Sequence, residues 1–144
     1  MSTQVHPQAD TSTARVALGV AAAAVVSIAL NTAVALGATA LNPNGTRMGL
    51  DLVAYAPLTI IGVLAGTIGW ALVRRRAAHA RATLRVLVPV VTVLSFIPDF
   101  ALRITGVADW GNVAGLLVMH VVVAAVTVTA VSRVLPLVGY RRTV

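Results

Sequence analysis

The stretch "GNVAGLLVMHVVVAAVTVTAVSRVL", Gly111 to Leu135, decides the fold. Its 25 residues carry one histidine and no acid, and a helix rising ~1.5 Å per residue over that length crosses the ~30 Å of hydrocarbon in a bilayer. In lipid every backbone N–H and C=O must be paired inside the segment. A run this long, rich in Val, Ala and Leu, therefore predicts a helix rather than one of the ~10-residue alternating strands of a barrel.

Three more runs of the same kind lie upstream, at about 16–40, 52–73 and 84–104. With 111–135 they predict an all-α membrane protein, an antiparallel up-down bundle of four transmembrane helices occupying 15–137. A disordered polar cytoplasmic tail, 1–14, is expected before it and a basic cytoplasmic tail, 138–144, after it. Composition agrees, since 58% hydrophobic residues, 10% charged residues and a mean hydropathy of +0.92 leave no separate water-soluble module in 144 residues. Ala38-Thr39-Ala40 has the small-x-small pattern of a leader cleavage site, but the apolar run before it exceeds a leader's 7 to 15 residues, so the first helix is expected to stay.

Several chemistries are excluded by residue type. There is no cysteine, hence no disulfide, thiolate metal site or thiol redox centre, and no lysine, hence no Schiff base. His120 is the only histidine within a span, so one chain cannot supply two axial haem ligands, and one His with one Asp falls short of the three protein ligands of catalytic zinc. No nucleophile elbow and no phosphate-cradling loop is present. A non-enzymatic protein with no cofactor and no metal is expected.

The net charge of +7 is a topology signal once the arginines are placed. Arg15, Arg74, Arg75, Arg76, Arg81, Arg85, Arg133, Arg141 and Arg142 share one side of the expected bundle, against Arg47 and Arg103 on the other. The positive-inside rule then puts both termini and the 74–85 loop in the cytoplasm. Arg74, Arg75, Arg76, Arg81 and Arg85 are expected to touch anionic lipids on that side, and no nucleic acid is expected as partner. Trp70 and Tyr140 fall at the inner boundary, Tyr55 and Trp110 at the outer one, as an aromatic belt would.

At ~100° per residue the polar and small residues of each helix collect on one face. Thr92, Ser95, Asp99 and Arg103 form a stripe on the third; Asp51, Tyr55, Thr59, Gly62, Gly66 and Gly69 on the second; Ser27 and Asn31 on the first; His120, Ala124 and Thr127 on the fourth. Gly62, Gly66 and Gly69 are read as helix-packing positions. An ionisable group near the centre of a span costs ~2.5 kcal/mol or more unless it faces a partner or water, so Asp99 and His120 carry the strongest functional signal. Pro98 weakens the helix before Asp99. Asn31, Tyr55, Asp99, Arg103 and His120 are the candidate ligand- or proton-binding residues, lining a cleft open to the outside. The bland alternatives are an Asp99–Arg103 pair one turn apart and a His120 bonded to Asn31 or a carbonyl.

"PLTIIGVLAGTIGWALVRR", "RVLVPVVTVLSFIPDF" and "LLVMHVVVAAV" are the stretches that carry a family likeness, through Pro57, Gly62, Gly66, Met119 and His120. Over about 15–135 the chain resembles an uncharacterised actinobacterial family of small four-helix membrane proteins, a domain of unknown function. That resemblance implies a bacterial inner-membrane setting and supplies no activity. Two functions stay open. One is an accessory or self-associating bundle, whose partner is a second copy or another membrane protein; the other is a small transporter or lipophilic-ligand binder built around Asp99 and His120.

Overall fold

The computed structural model describes residues 13–137; residues 1–12 and 138–144, where most of the two expected tails and Tyr140, Arg141 and Arg142 fall, lie outside the described residues. Five helices follow in order: α1 (Thr13–Leu41), α2 (Leu52–Arg76), α3 (Ala80–Leu94), α4 (Ile97–Ile104) and α5 (Trp110–Val134). Together α3 and α4 make one crossing, so four helical stretches are long and apolar enough to span a bilayer. The protein is an all-α membrane bundle.

Local chemistry sets the boundaries. Pro43 has no N–H to continue α1, and it disfavours helical backbone at Asn42 before it. The third crossing breaks after Leu94 because Pro98 lacks the N–H that would bond the Leu94 carbonyl; Phe96 N–H donates instead to Val93 O at 3.1 Å, and the helix restarts at Ile97. α4 stops at Gly106, whose φ of 75° a side chain would strain, with the Val107 N–H closing onto Leu102 O at 2.9 Å. Asp109 caps α5, accepting from the Asn112 N–H at 3.0 Å.

Small residues set the packing. α1 buries Ala23, Ser27, Asn31 and Ala35, every fourth residue, so its contact face is a single ridge. It lies closest to α5, where a Cβ on Gly115 would stand 3.0 Å from Ala38 Cβ and one on Gly19 would strike Val134. α2 meets α5 at Gly62 against Val123 and Gly66 against Thr127. One apolar cluster joins Ala35, Leu50, Tyr55, Leu116 and Met119; another, at the opposite end, joins Trp70, Leu84 and Val131. Leu18, Val53, Leu58, Ile68, Val86 and Ile104 point outward and are exposed, as a lipid-facing surface requires.

Two of the aromatic residues turn into the bundle. Tyr55 and Trp70 are buried. The Tyr55 hydroxyl bonds Thr32 Oγ1 at 2.7 Å and the Trp70 indole donates to Leu135 O at 3.0 Å, so both rings pack inside the bundle with their polar ends satisfied by protein. Trp110 stays exposed, beneath the Arg103 guanidinium at 5.1 Å from the ring centroid.

Candidate functional site

The break in the third crossing decides where Asp99 goes. α4 packs on α5, and Asp99, in its first turn, is only 6% exposed. One carboxylate oxygen, Oδ2, stands 3.3 Å from His120 Nδ1. The same nitrogen is 2.9 Å from Leu116 O, one turn back along α5. A carbonyl only accepts, so this contact requires the proton on Nδ1; a neutral ring then keeps its lone pair on Nε2. Phe96 meets the imidazole edge-on, centroids 6.0 Å apart and planes at 82°. About a third of the His120 side chain, 35%, remains exposed, whereas the carboxylate is closed in. Asp99 Oδ2 itself makes no hydrogen bond among the described residues, so its approach to Nδ1 becomes an ion pair when the imidazole is protonated, with the imidazole as the accessible end.

Arg103, one turn beyond Asp99, does not take the partner its spacing offered. Its guanidinium lies over Trp110, and its buried Nε makes no hydrogen bond among the described residues. Because the pairing of Asp99 is across helices, it ties α4 to α5 rather than stiffening α4 alone.

Asn31 and Tyr55 belong to a different place. Asn31 Nδ2 donates to Thr59 Oγ1 at 2.9 Å, and Tyr55 bonds Thr32, so both stitch α1 to α2. Asn31 does not bond His120: its amide goes to Thr59 on α2, and the imidazole goes to the Leu116 carbonyl. Of the five expected site residues, the structure thus brings together Asp99 and His120, leaves Arg103 one turn away, and uses Asn31 and Tyr55 as interhelical links. Gly62 and Gly66 sit against α5, while a Cβ on Gly69 would meet nothing within 4 Å. Arg74, Arg75 and Arg76 end α2; Arg81 and Arg85 lie on the first turns of α3.

A second polar cluster, apart from the expected site residues, latches the α1–α2 loop onto the start of α5. Asp109 accepts from Asn42 Nδ2 at 2.8 Å, from Thr46 Oγ1 at 3.0 Å and from the Thr46 backbone N–H, besides capping Asn112. Its own N–H donates to Thr46 Oγ1 at 3.0 Å. Asn112 Nδ2 donates to the carbonyls of Thr46 and Met48 at 3.1 and 3.0 Å. Backbone N–H groups of Asn112 and Thr46 hold the Asp109 carboxyl down at about 2, below the usual range. The available signal was an Asn- and Thr-rich loop and a lone Asp on what topology makes the same side of the membrane.

Among the described residues no three His, Cys, Asp or Glu side chains converge. The chemistry on offer at Asp99–His120 is proton exchange and charge-assisted hydrogen bonding. A family model described as a family of unknown function, DUF6069, matches residues 7–136. That is most of the 144 residues, and the chain belongs to that family. No curated protein and no solved structure matches it significantly.

Proposed function

We propose that this member of a family without a known activity is a small non-enzymatic transporter or lipophilic-ligand binder, in which Asp99 and His120 exchange a proton as they bind. The observation that supports it is the 3.3 Å approach of the one intramembrane histidine to a buried aspartate on another helix. Such groups are costly in a span and mark proton or ligand paths when they meet there. The arginine asymmetry supports a plasma-membrane protein with both termini cytoplasmic. The family likeness supports an actinobacterial source.

Association with itself or with another membrane protein, through the second or fourth helix, is the other reading of the sequence, and its second-helix form has less in its favour. Gly62 and Gly66 would have made that interface, and both already face α5 within the chain. An accessory role would have to use another face.

The test is the ¹⁵N spectrum of the imidazoles of the full chain in lipid nanodiscs, followed through the histidine range of about pH 5 to 8. A working pair gives His120 signals that change with pH and change again in Asp99→Asn, while helix content stays constant. Signals that are fixed throughout, or indifferent to Asp99→Asn, reduce the pair to a structural tie and end this reading.

A further inference from the structure

Between α3 and α5 a groove runs along the flank of the bundle. Its first part, about 550 Å³, is floored by Trp70, Leu84 and Val128, with Arg81 and Arg85 at its mouth. Past Val88, Pro89 and Val128, which line both parts, it continues for a further 580 Å³ beside Thr92, Phe96, Val121 and Ala125. Phe96 closes it against the His120 ring.

We propose that this groove holds one anionic glycerophospholipid of the bilayer, its phosphate on Arg81 and Arg85 and one acyl chain laid along α3 toward Phe96. Three observations converge on that occupant. The polar groups of the walls are already engaged: Thr92 donates to Val88 O, Ser132 to Thr129 O, Thr129 to Ala125 O and the Trp70 indole to Leu135 O. What remains is an apolar channel, suited to hydrocarbon and to little else. The donors left at its mouth are two guanidiniums four residues apart on one helix face, both exposed and neither in an ion pair among the described residues. Asp51, Asp99 and Asp109, the described acids, stand on other elements away from this mouth. Two such forks present a phosphate with bidentate, charge-assisted donors.

Length agrees as well. Eleven residues separate Arg85 from Phe96, about 16 Å along a helix, which is close to the half-thickness of a ~30 Å hydrocarbon layer. A headgroup at Arg85 therefore sets its acyl chain in one leaflet, ending where the groove ends. A free phosphate would use the arginines and leave the apolar channel unexplained.

The experiment is native mass spectrometry of the full chain released from nanodiscs of equimolar phosphatidylcholine and phosphatidylglycerol. The wild type should retain one phosphatidylglycerol in preference to phosphatidylcholine. Arg81→Gln/Arg85→Gln should lower that retention about thirtyfold, as expected for two cations at a lipid surface. Arg81→Lys/Arg85→Lys should keep much of it, and Arg133→Gln, which removes an exposed arginine of the same side that does not line the groove, should leave it unchanged. Ala125→Trp, which fills the channel and touches no charge, should lower it too. The proposal is overturned if the Arg81/Arg85 double variant retains as much lipid as wild type, or if Arg133→Gln loses as much as that variant, which would indicate a general basic belt. It is overturned equally if Ala125→Trp has no effect, or if inorganic phosphate displaces the lipid from the detergent-solubilised chain, which would indicate a free-anion site. None of these outcomes depends on proton exchange at Asp99 and His120, so the two readings stand or fall apart.

Discussion

At the scale of single residues, Asp109 is the most heavily engaged acid, and its role is structural. Its carboxyl titrates near 2 in the folded chain and near 4 once unfolded. A depressed folded value means the latch contributes fully above the unfolded pKa and is lost as pH falls toward 2. Thermal unfolding of the solubilised chain should therefore weaken between about pH 4 and 2, and Asp109→Asn should remove that part of the slope while lowering the midpoint at neutral pH. Thr59→Val is a milder case. It removes the acceptor of the buried Asn31 amide, and by the measured range for interhelical bonds in membranes it should cost about 0.6 to 1.7 kcal/mol in reversible unfolding. Sequence spacing made Asp99 and Arg103 natural partners. It carried no record of the turn at Ser95 and Phe96 that hands Asp99 to α5, nor of the Trp110 ring that draws Arg103 off. Asp99 and His120 were legible as the two groups that need an excuse to be in lipid; that each is the other's excuse was not.

At the scale of elements, glycine sets helix separation. α1 and α5 touch through Gly115 and Ala38, so Gly115→Leu should force the helices apart and cost about 1 to 3 kcal/mol as overpacking, read as a lower midpoint in denaturant titration. Gly69→Ala should be nearly silent, because nothing stands within 4 Å of the added methyl. Four crossings were readable because bilayer thickness dictates the length of an apolar run, and every run here meets it. The split of the third crossing was only half readable. Pro98 announced a missing hydrogen bond, yet Pro57 and Pro89 announce the same and sit inside unbroken helices.

At the scale of the whole molecule, the arginine distribution makes a prediction that the absence of cysteine renders clean. Single-cysteine variants at Asn44, in the α1–α2 loop, and at Ala78, between α2 and α3, should be labelled by a membrane-impermeant maleimide from opposite sides, Asn44 from outside in intact cells and Ala78 only after lysis. Labelling of both from one side would refute the topology. The burial pattern places α5 at the centre, with the largest buried share of the four crossings, and the α3–α4 crossing at the margin, with the smallest. Three helices thus form a firm unit, and the fourth crossing leans on it.

That margin gives the turn at Ser95 and Phe96 a mechanical meaning. With the ladder of backbone bonds already interrupted there, the two residues are a pivot for α4, and a swing would have to break its packing on α5 without breaking a continuous helix. Asp99 rides on α4 and His120 on α5, so the distance between carboxylate and imidazole would report such a swing. Phe96, at the pivot itself, would carry the motion to the groove beside it.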